Sequence, residues 1–293
     1  MKVVILYNPN STGESKQLAT EFCDALAQAD TTNKLTIELT ATQHAGHGEE
    51  IAASHAKKGE PCVIISASGD GGYHEVVNGA LSADNSRVIT GILPAGNAND
   101  HHGAIGGDNE SLIASILGED YRDIDILHLS AKVDGQAWAR YAHSYAGIGV
   151  VARAARDLTK ERPNVLQEKW LVAKSLFSFR YSKLIEGGKS LRYSSLVFSN
   201  IATMSKVLKL ADESSLTDGA FEINRIRFHS KPRLLLYLAT AATVGLKPAE
   251  SVSRYTFTTT KATNIQLDGE VYTLDGGCDV TVTSQQKRLR YVR

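Results

Sequence analysis

Hydrophobic and polar positions recur along the first part of the chain with two different periods. "KVVILYN" and "CVIIS" are continuous apolar runs of strand length, "VITGILPAG" is a third that ends in a turn, and "KLTIELT" alternates residue by residue. Between these runs, "SKQLATEFCDALAQA", "GEEIAASHAKKG" and "HEVVNGALS" carry their apolar residues at helical spacing. Strands that alternate with helices predict a mostly parallel sheet covered on both faces, with the loops after its strands gathered at one edge. From "DIDILHLSAKVDGQAWARYAHSYAGIG" onward the texture changes to hairpin patterns, with "VDGQ" as a turn. "LRYSSLVFSNIAT", "GAFEINRIRF", "SRYTFTTTKATNIQLDGEVYTL" and "CDVTVTSQQKRLRYVR" continue it, interrupted by helical spacing near 151 to 185 and 231 to 246. The expected fold class is α/β: an N-terminal, mostly parallel α/β domain over residues 1–128 and a C-terminal β-rich, antiparallel, sandwich-like domain over residues 129–293.

Charge sharpens that division. The 293 residues sum to zero, with 32 Lys+Arg against 32 Asp+Glu, but residues 1–128 hold 7 basic against 18 acidic side chains and residues 129–293 hold 25 against 14. The halves therefore have different electrostatic partners, and the basic half is attracted either to an anionic surface or to the acidic half itself. Nucleic acid is not expected. Three widely spaced cysteines, Cys23, Cys62 and Cys278, exclude a disulfide framework and fit a reducing cytoplasm. "MKVVILYNPN" reads as a first strand and not as a secretory signal. The longest apolar run, "LLLYLATAATVGL", is shorter than the roughly 20 residues of a membrane span, so any membrane association is expected to be peripheral.

Three strand-to-helix loops carry candidate chemistry. "NPNSTGES" offers backbone N–H groups and hydroxyls at a helix start, which suits a phosphate, although it lacks the Walker A lysine. "SASGDGGYHEVVNGA" sets Asp70 among Gly69, Gly71 and Gly72. Glycines there admit close approach of a ligand, and the aspartate either serves a cation or acceptor hydroxyl, or is a turn or helix-cap residue. "LPAGNANDHHG" adds Asn97, Asn99 and Asp100 at the same expected edge. "GIGVVA" at 147 to 152 matches a dinucleotide-loop pattern, but it lies in the β-rich half with no acidic residue about 20 positions later. His44, His47, His101 and His102 have poor metal-ligand spacing.

In order and spacing, "NPNSTG", "SGDGGYHEVVNGA", "PAGNAND" and the later "LDGE" resemble the signature blocks of the diacylglycerol kinase catalytic superfamily, which includes bacterial soluble lipid kinases and sphingosine kinases. The resemblance implies an ATP-dependent, magnesium-requiring lipid kinase with a nucleotide-binding α/β domain and a β-rich acceptor domain. It implies ATP contacts from Asn8, Pro9, Asn10, Ser11, Thr12, Thr42, Gly69, Asp70, Gly71, Gly72, Glu75 and Asn97. Asp70 would serve metal and phosphates, Glu270 would accept the proton of the lipid hydroxyl, and Asp268 would stand beside it. "SLTDGAFEI" resembles the family's structural-magnesium loop, with ligands at Ser215 (backbone), Asp218 and Ala220 (backbone). A kinase for a soluble acceptor such as NAD, or a nucleotide-binding regulator, would carry similar loops. Expected partners are a lipid met at a membrane surface and, as an oligomer, a homodimer. Gly72 and Asn97 depart from the family, many bacterial members of which have threonine at both places, and "ATMSKVLKLADESS" replaces a glycine-rich stretch.

Overall fold

The computed structural model describes residues 1–10, 14–84, 86–161, 181–204, 208–210, 214–228, 232, 236, 240 and 250–293. Contacts divide the chain into one unit of Met1–Ile124 with Lys287–Arg293, and a second of Asp125–Gln286.

In the first unit the elements run β1 (Lys2–Tyr7), α1 (Ser15–Ala29), β2 (Thr36–Ala41), α2 (His47–Lys58), β3 (Cys62–Ser68), α3 (Asp70–Ala80), β4 (Val88–Pro94), α4 (Asp100–Ile105) and α5 (Asn109–Gly118). The four strands are parallel in the order β4-β3-β1-β2. Because side chains alternate across a strand, Val3 and Ile5 join Phe22 and Leu26 of α1 and Ile116 of α5 on one face. Val4 and Leu6 join Ala52 and Ala56 of α2 and Val76 and Ala80 of α3 on the other. Burial on both faces explains the unbroken apolar runs of β1 and β3. The chain leaves β1 toward β2 on one side and later returns to β3 on the other, so a topological switch point lies between β1 and β3, where loops of such sheets receive ligands.

The remaining elements are β5 (Arg122–Val133), β6 (Gln136–Ala142), β7 (Tyr145–Gly149), α6 (Val150–Glu161), β8 (Ser182–Glu186), β9 (Lys189–Ser199), β10 (Thr203–Met204), β11 (Leu208–Lys209), β12 (Phe221–Arg227), β13 (Glu250–Val252), β14 (Arg254–Thr259), β15 (Thr263–Leu267), β16 (Glu270–Leu274) and β17 (Asp279–Tyr291). The second unit is antiparallel in β16-β15-β7-β9-β8-β14-β17 order, with β12 on the far edge of β9. Its core gathers Ile148, Leu196, Phe198, Phe221, Phe257 and Ile265, with aromatic contacts among Phe198, Phe221 and Phe257.

Together these give a mostly parallel N-terminal α/β sheet and an antiparallel β-rich C-terminal region, the fold class expected from the residue pattern. The helical spacing expected at 151 to 185 is borne by α6, whereas residues 182–186 form β8, and 162–180 and most of 231–246 lie outside the described residues. The end of β17 runs beside β4, with Tyr291 paired to Thr90.

Candidate functional site

The loops at the carboxyl ends of the four parallel strands are fastened to one another by specific side chains. After β1, Asn8, Pro9 and Asn10 are exposed, and Asn10 N–H donates to Asn8 Oδ1 at 2.9 Å in an Asx turn. Ser11 and Thr12 lie outside the described residues. Asn8 N–H donates to Ser15 Oγ (3.3 Å), and this fully buried hydroxyl donates to the Ala67 carbonyl of β3 (2.5 Å). Ser15 thus bridges the two sides of the switch point, a role that no motif announced. Thr42, after β2, donates its N–H to the Tyr7 carbonyl at 2.8 Å, and its hydroxyl reaches the same oxygen at 3.3 Å.

The glycine-rich stretch after β3 is less loop than its composition suggests. Only Gly69 is extended; Asp70, Gly71 and Gly72 already form the first turn of α3, which starts earlier than the "HEVVNGALS" pattern indicates. Asp70 is buried, and its two carboxylate oxygens accept the N–H groups of Asp100 and His101, each at 3.1 Å. A carboxylate is favourable there because those N–H groups begin α4. Glu75, one turn further along α3, does the same for α2, accepting from Gly46 at 2.7 Å and Gly48 at 3.1 Å.

Backbone also meets backbone directly. The Ala95 N–H donates to the Ser68 carbonyl, and a Cβ at Gly96 would stand 2.4 Å from the Gly69 Cα, so the second and third loops cross at a distance only glycine allows. Asn99, in left-handed conformation, holds the third loop by accepting from the Gly96 N–H and donating to its carbonyl. Asn97 projects to the exposed side. His101 is buried against the Tyr73 ring, and burial lowers the pKa of His102 although nearby Asp70 pulls it upward.

The other expected site residues belong to the second unit. Asp268 is buried in a left-handed turn, and its carboxylate accepts the N–H groups of His143, Ser144 and Tyr145 at 2.9 to 3.1 Å, with the His143 imidazole at 3.4 Å. It therefore positions the turn that delivers Glu270, the half-buried first residue of β16. Around Asp218 the loop bonds within itself: Ala220 N–H donates to Asp218 Oδ1, and Thr217 N–H to Ser215 Oγ. A buried aspartate that the motifs missed, Asp125, ties this loop down, accepting from Gly219 N–H at 2.5 Å and donating its own N–H to the Leu216 carbonyl. Asn200 donates to the Asp125 and Ser144 carbonyls, and Ser144 in turn donates to Asp268. One buried polar path thus joins the loop at 215–220 to the turn carrying Glu270. The local signal for it was the acidic "DID" inside an apolar strand.

Magnesium was expected at Ser215, Asp218 and Ala220. Among the described residues no group of three or more His, Cys, Asp or Glu side chains could hold a metal, and Asp218 is the sole carboxylate within 215–220. This donor set fits only an ion that keeps most of its water or brings phosphate ligands with it, as magnesium commonly does.

The sequence model of the diacylglycerol kinase catalytic domain matches residues 2–129. The chain is 29% identical over 278 residues to a diacylglycerol kinase of Bacillus subtilis (strain 168), covering 90% of this chain and 84% of that one. It is 28% identical over 229 residues to a diacylglycerol kinase of Staphylococcus aureus (strain MRSA252), covering 75% and 68%. A crystal structure of a diacylglycerol kinase from Bacillus anthracis str. Sterne superposes with a TM-score of 0.70 at 18% identity, covering 99% of this chain and 96% of that one. Yeast NADH kinase complexed with NADH superposes with a TM-score of 0.53 at 11% identity, covering 100% and 83%, a likeness of fold alone. The loops stitched at the switch point lie within residues 2–129, the stretch that matches the diacylglycerol kinase catalytic domain, and over most of its length the chain is similar to bacterial diacylglycerol kinases.

Proposed function

We propose that this kinase transfers the γ-phosphate of ATP to a hydroxyl of a lipid acceptor, diacylglycerol-like or sphingoid-like. The observation that carries the reading is the fastening of the switch-point loops by Ser15, Thr42, Asp70 and Glu75, in a chain whose curated relatives are named diacylglycerol kinases. Backbone N–H groups and hydroxyls of Asn8 through Thr12 and the N-terminus of α3, at Gly69 through Gly72, receive the phosphates, while Thr42, Glu75 and Asn97 complete the nucleotide site. Asp70 and Glu75 act chiefly by positioning, because their carboxylates fix the loops that neighbour the phosphates. Glu270 takes the proton of the acceptor hydroxyl, its turn held by Asp268. Magnesium, when bound, neutralises phosphate charge, with Asp70 on the nucleotide's ion and Ser215, Asp218 and Ala220 around a structural one. Phosphoryl transfer depends mainly on such positioning and charge compensation. No helix among the described residues is long and apolar enough to cross a membrane. In this reading the acceptor is met peripherally, from the cytoplasm.

ATP consumption measured with diacylglycerols, sphingoid bases and NAD as acceptors tests the reading. Turnover on a lipid, lost in Asp70→Ala and reduced about 100-fold or more in Glu270→Ala, is expected. Turnover on NAD alone would replace the lipid acceptor by a soluble one. ATP binding without turnover on any acceptor would make the chain a nucleotide-binding regulator.

A further inference from the structure

The hairpin of β8 and β9 carries two cations where strand pairing disfavours them. Its register sets Lys183 directly opposite Arg192. Their neighbours Leu184 and Tyr193 are fully buried in the core of the second unit, so by strand alternation Lys183 and Arg192 point to the opposite, solvent-facing side, where both are exposed. Like charges directly opposite on adjacent strands repel, and among the described residues no acidic side chain forms an ion pair with either one. The backbone beneath them is well fixed, with the Lys183 carbonyl accepting from Thr260 Oγ1 at 2.8 Å and the Arg192 carbonyl from Phe228 N–H at 2.9 Å.

Aromatic rings complete the surface. The Arg192 guanidinium lies over the Tyr181 ring at 4.9 Å from its centroid, and that ring meets Phe228 with centroids 5.3 Å apart. Stacking holds the guanidinium flat against the surface and leaves its outer N–H groups available to an anion. Two unpaired cations beside two aromatic rings match the chemistry of a membrane interface, where basic side chains meet anionic head groups and aromatic rings lie at head-group depth.

We propose that this face of the β8–β9 hairpin, centred on Lys183, Arg192, Tyr181 and Phe228, is a docking surface for an anionic lipid bilayer. The choice of a bilayer over other polyanions rests on the lipid-acceptor reading above. Docking would relieve the repulsion between Lys183 and Arg192 by giving both a shared layer of negative charge, and would bring the chain to the surface where such an acceptor resides.

The test is co-sedimentation of the full chain with vesicles, without nucleotide, so that binding is separated from turnover. Wild-type protein is expected to bind vesicles containing phosphatidylglycerol, to bind phosphatidylcholine vesicles far less, and to be released as sodium chloride is raised. The double change Lys183→Gln with Arg192→Gln is expected to weaken binding about thirtyfold, at roughly 1 kcal/mol per basic side chain at the surface. Lys132→Gln with Arg254→Gln removes the same net charge from exposed positions elsewhere in the second unit and is expected to change binding less than about threefold. Lys183→Gln alone keeps the Arg192–Tyr181 stack and removes a repulsion, so its thermal midpoint should not fall, which guards against misfolding as the cause of lost binding. Equal weakening by both double changes, unweakened binding in the Lys183/Arg192 variant, salt-insensitive binding, no binding at all, or preference for single-stranded RNA over vesicles would each overturn the proposal. If no lipid is phosphorylated yet vesicle binding is lost selectively in that variant, the acceptor reading falls and the docking surface stands.

Discussion

Asp70 and Glu75 perform the same task at two helix ends. Each carboxylate takes two N–H groups that would otherwise begin a helix without partners, Asp70 for α4 and Glu75 for α2. Hydrogen bonds to a charged acceptor are worth more than neutral ones, and these lie at the positive ends of helix dipoles. Asp70→Ala should therefore lower stability by about 2–4 kcal/mol, measured by urea denaturation, in addition to any effect on turnover. An unchanged midpoint would mean that Asp70 matters only to bound ligand. Asp268 belongs to the same class, with three backbone donors on one carboxylate. The motifs made these acids conspicuous, but only distance distinguishes a carboxylate aimed at a ligand from one that holds the ligand's loop.

At the scale of elements, the start of α3 is decided by packing against the strand before it. Gly72 departs from the threonine of many family members, and the structure supplies a steric reason: a Cβ at residue 72 would stand 2.6 Å from both Cβ and Oγ of Ser68. The Ser68 hydroxyl is itself engaged with Ser66 Oγ at 2.7 Å and with the Gly69 carbonyl at 3.0 Å. Residues 68 and 72 thus share one space, and a side chain at either excludes one at the other. Gly72→Thr is expected to destabilise by about 1–3 kcal/mol through overpacking, and Ser68→Gly in the same chain should recover much of that loss. A double-mutant cycle would show coupling of about 1 kcal/mol or more, whereas additive effects would mean that α3 shifts freely to make room. Nothing in the run "SASGDGG" indicates that its serine and its last glycine are neighbours, because their contact depends on the bend from β3 into α3.

For the whole molecule, the pattern of charge bears on stability as well as on partners. Glu222, on β12, is buried opposite Ser199 of β9, and among the described residues no cation pairs with it. Burial raises its pKa from 4.5 to about 7, its own backbone N–H opposing and the nearby Asp218 carboxylate adding to the rise. The folded state therefore holds a proton that the unfolded chain releases above 4.5. Its contribution to stability is complete below that value, falls as pH rises through the window up to about 7, and stays low beyond it. Glu222→Gln should thus stabilise the protein by on the order of 2–3 kcal/mol near pH 8 and by little near pH 4.5. Thermal denaturation at both pH values checks this, and equal effects at both would place the proton elsewhere.

The sequence by itself determined the alternation of strands and helices, the change to antiparallel pairing, the imbalance of charge and the blocks that carry the family resemblance. All of these are periodic or local, and burial on one or both faces of an element imposes them directly on the residue pattern. The structure alone decided which acids cap helices, that Ser15 bridges β1 and β3, that Asp125 and Asn200 connect the 215–220 loop to Asp268, and that Lys183 meets Arg192. It also returned Lys287–Arg293 to the first unit, where Arg290 makes a two-point contact with Asp123. Each of these joins residues far apart in the chain or across a register. A single sequence leaves such distances undetermined until long-range pairing closes the loops between them.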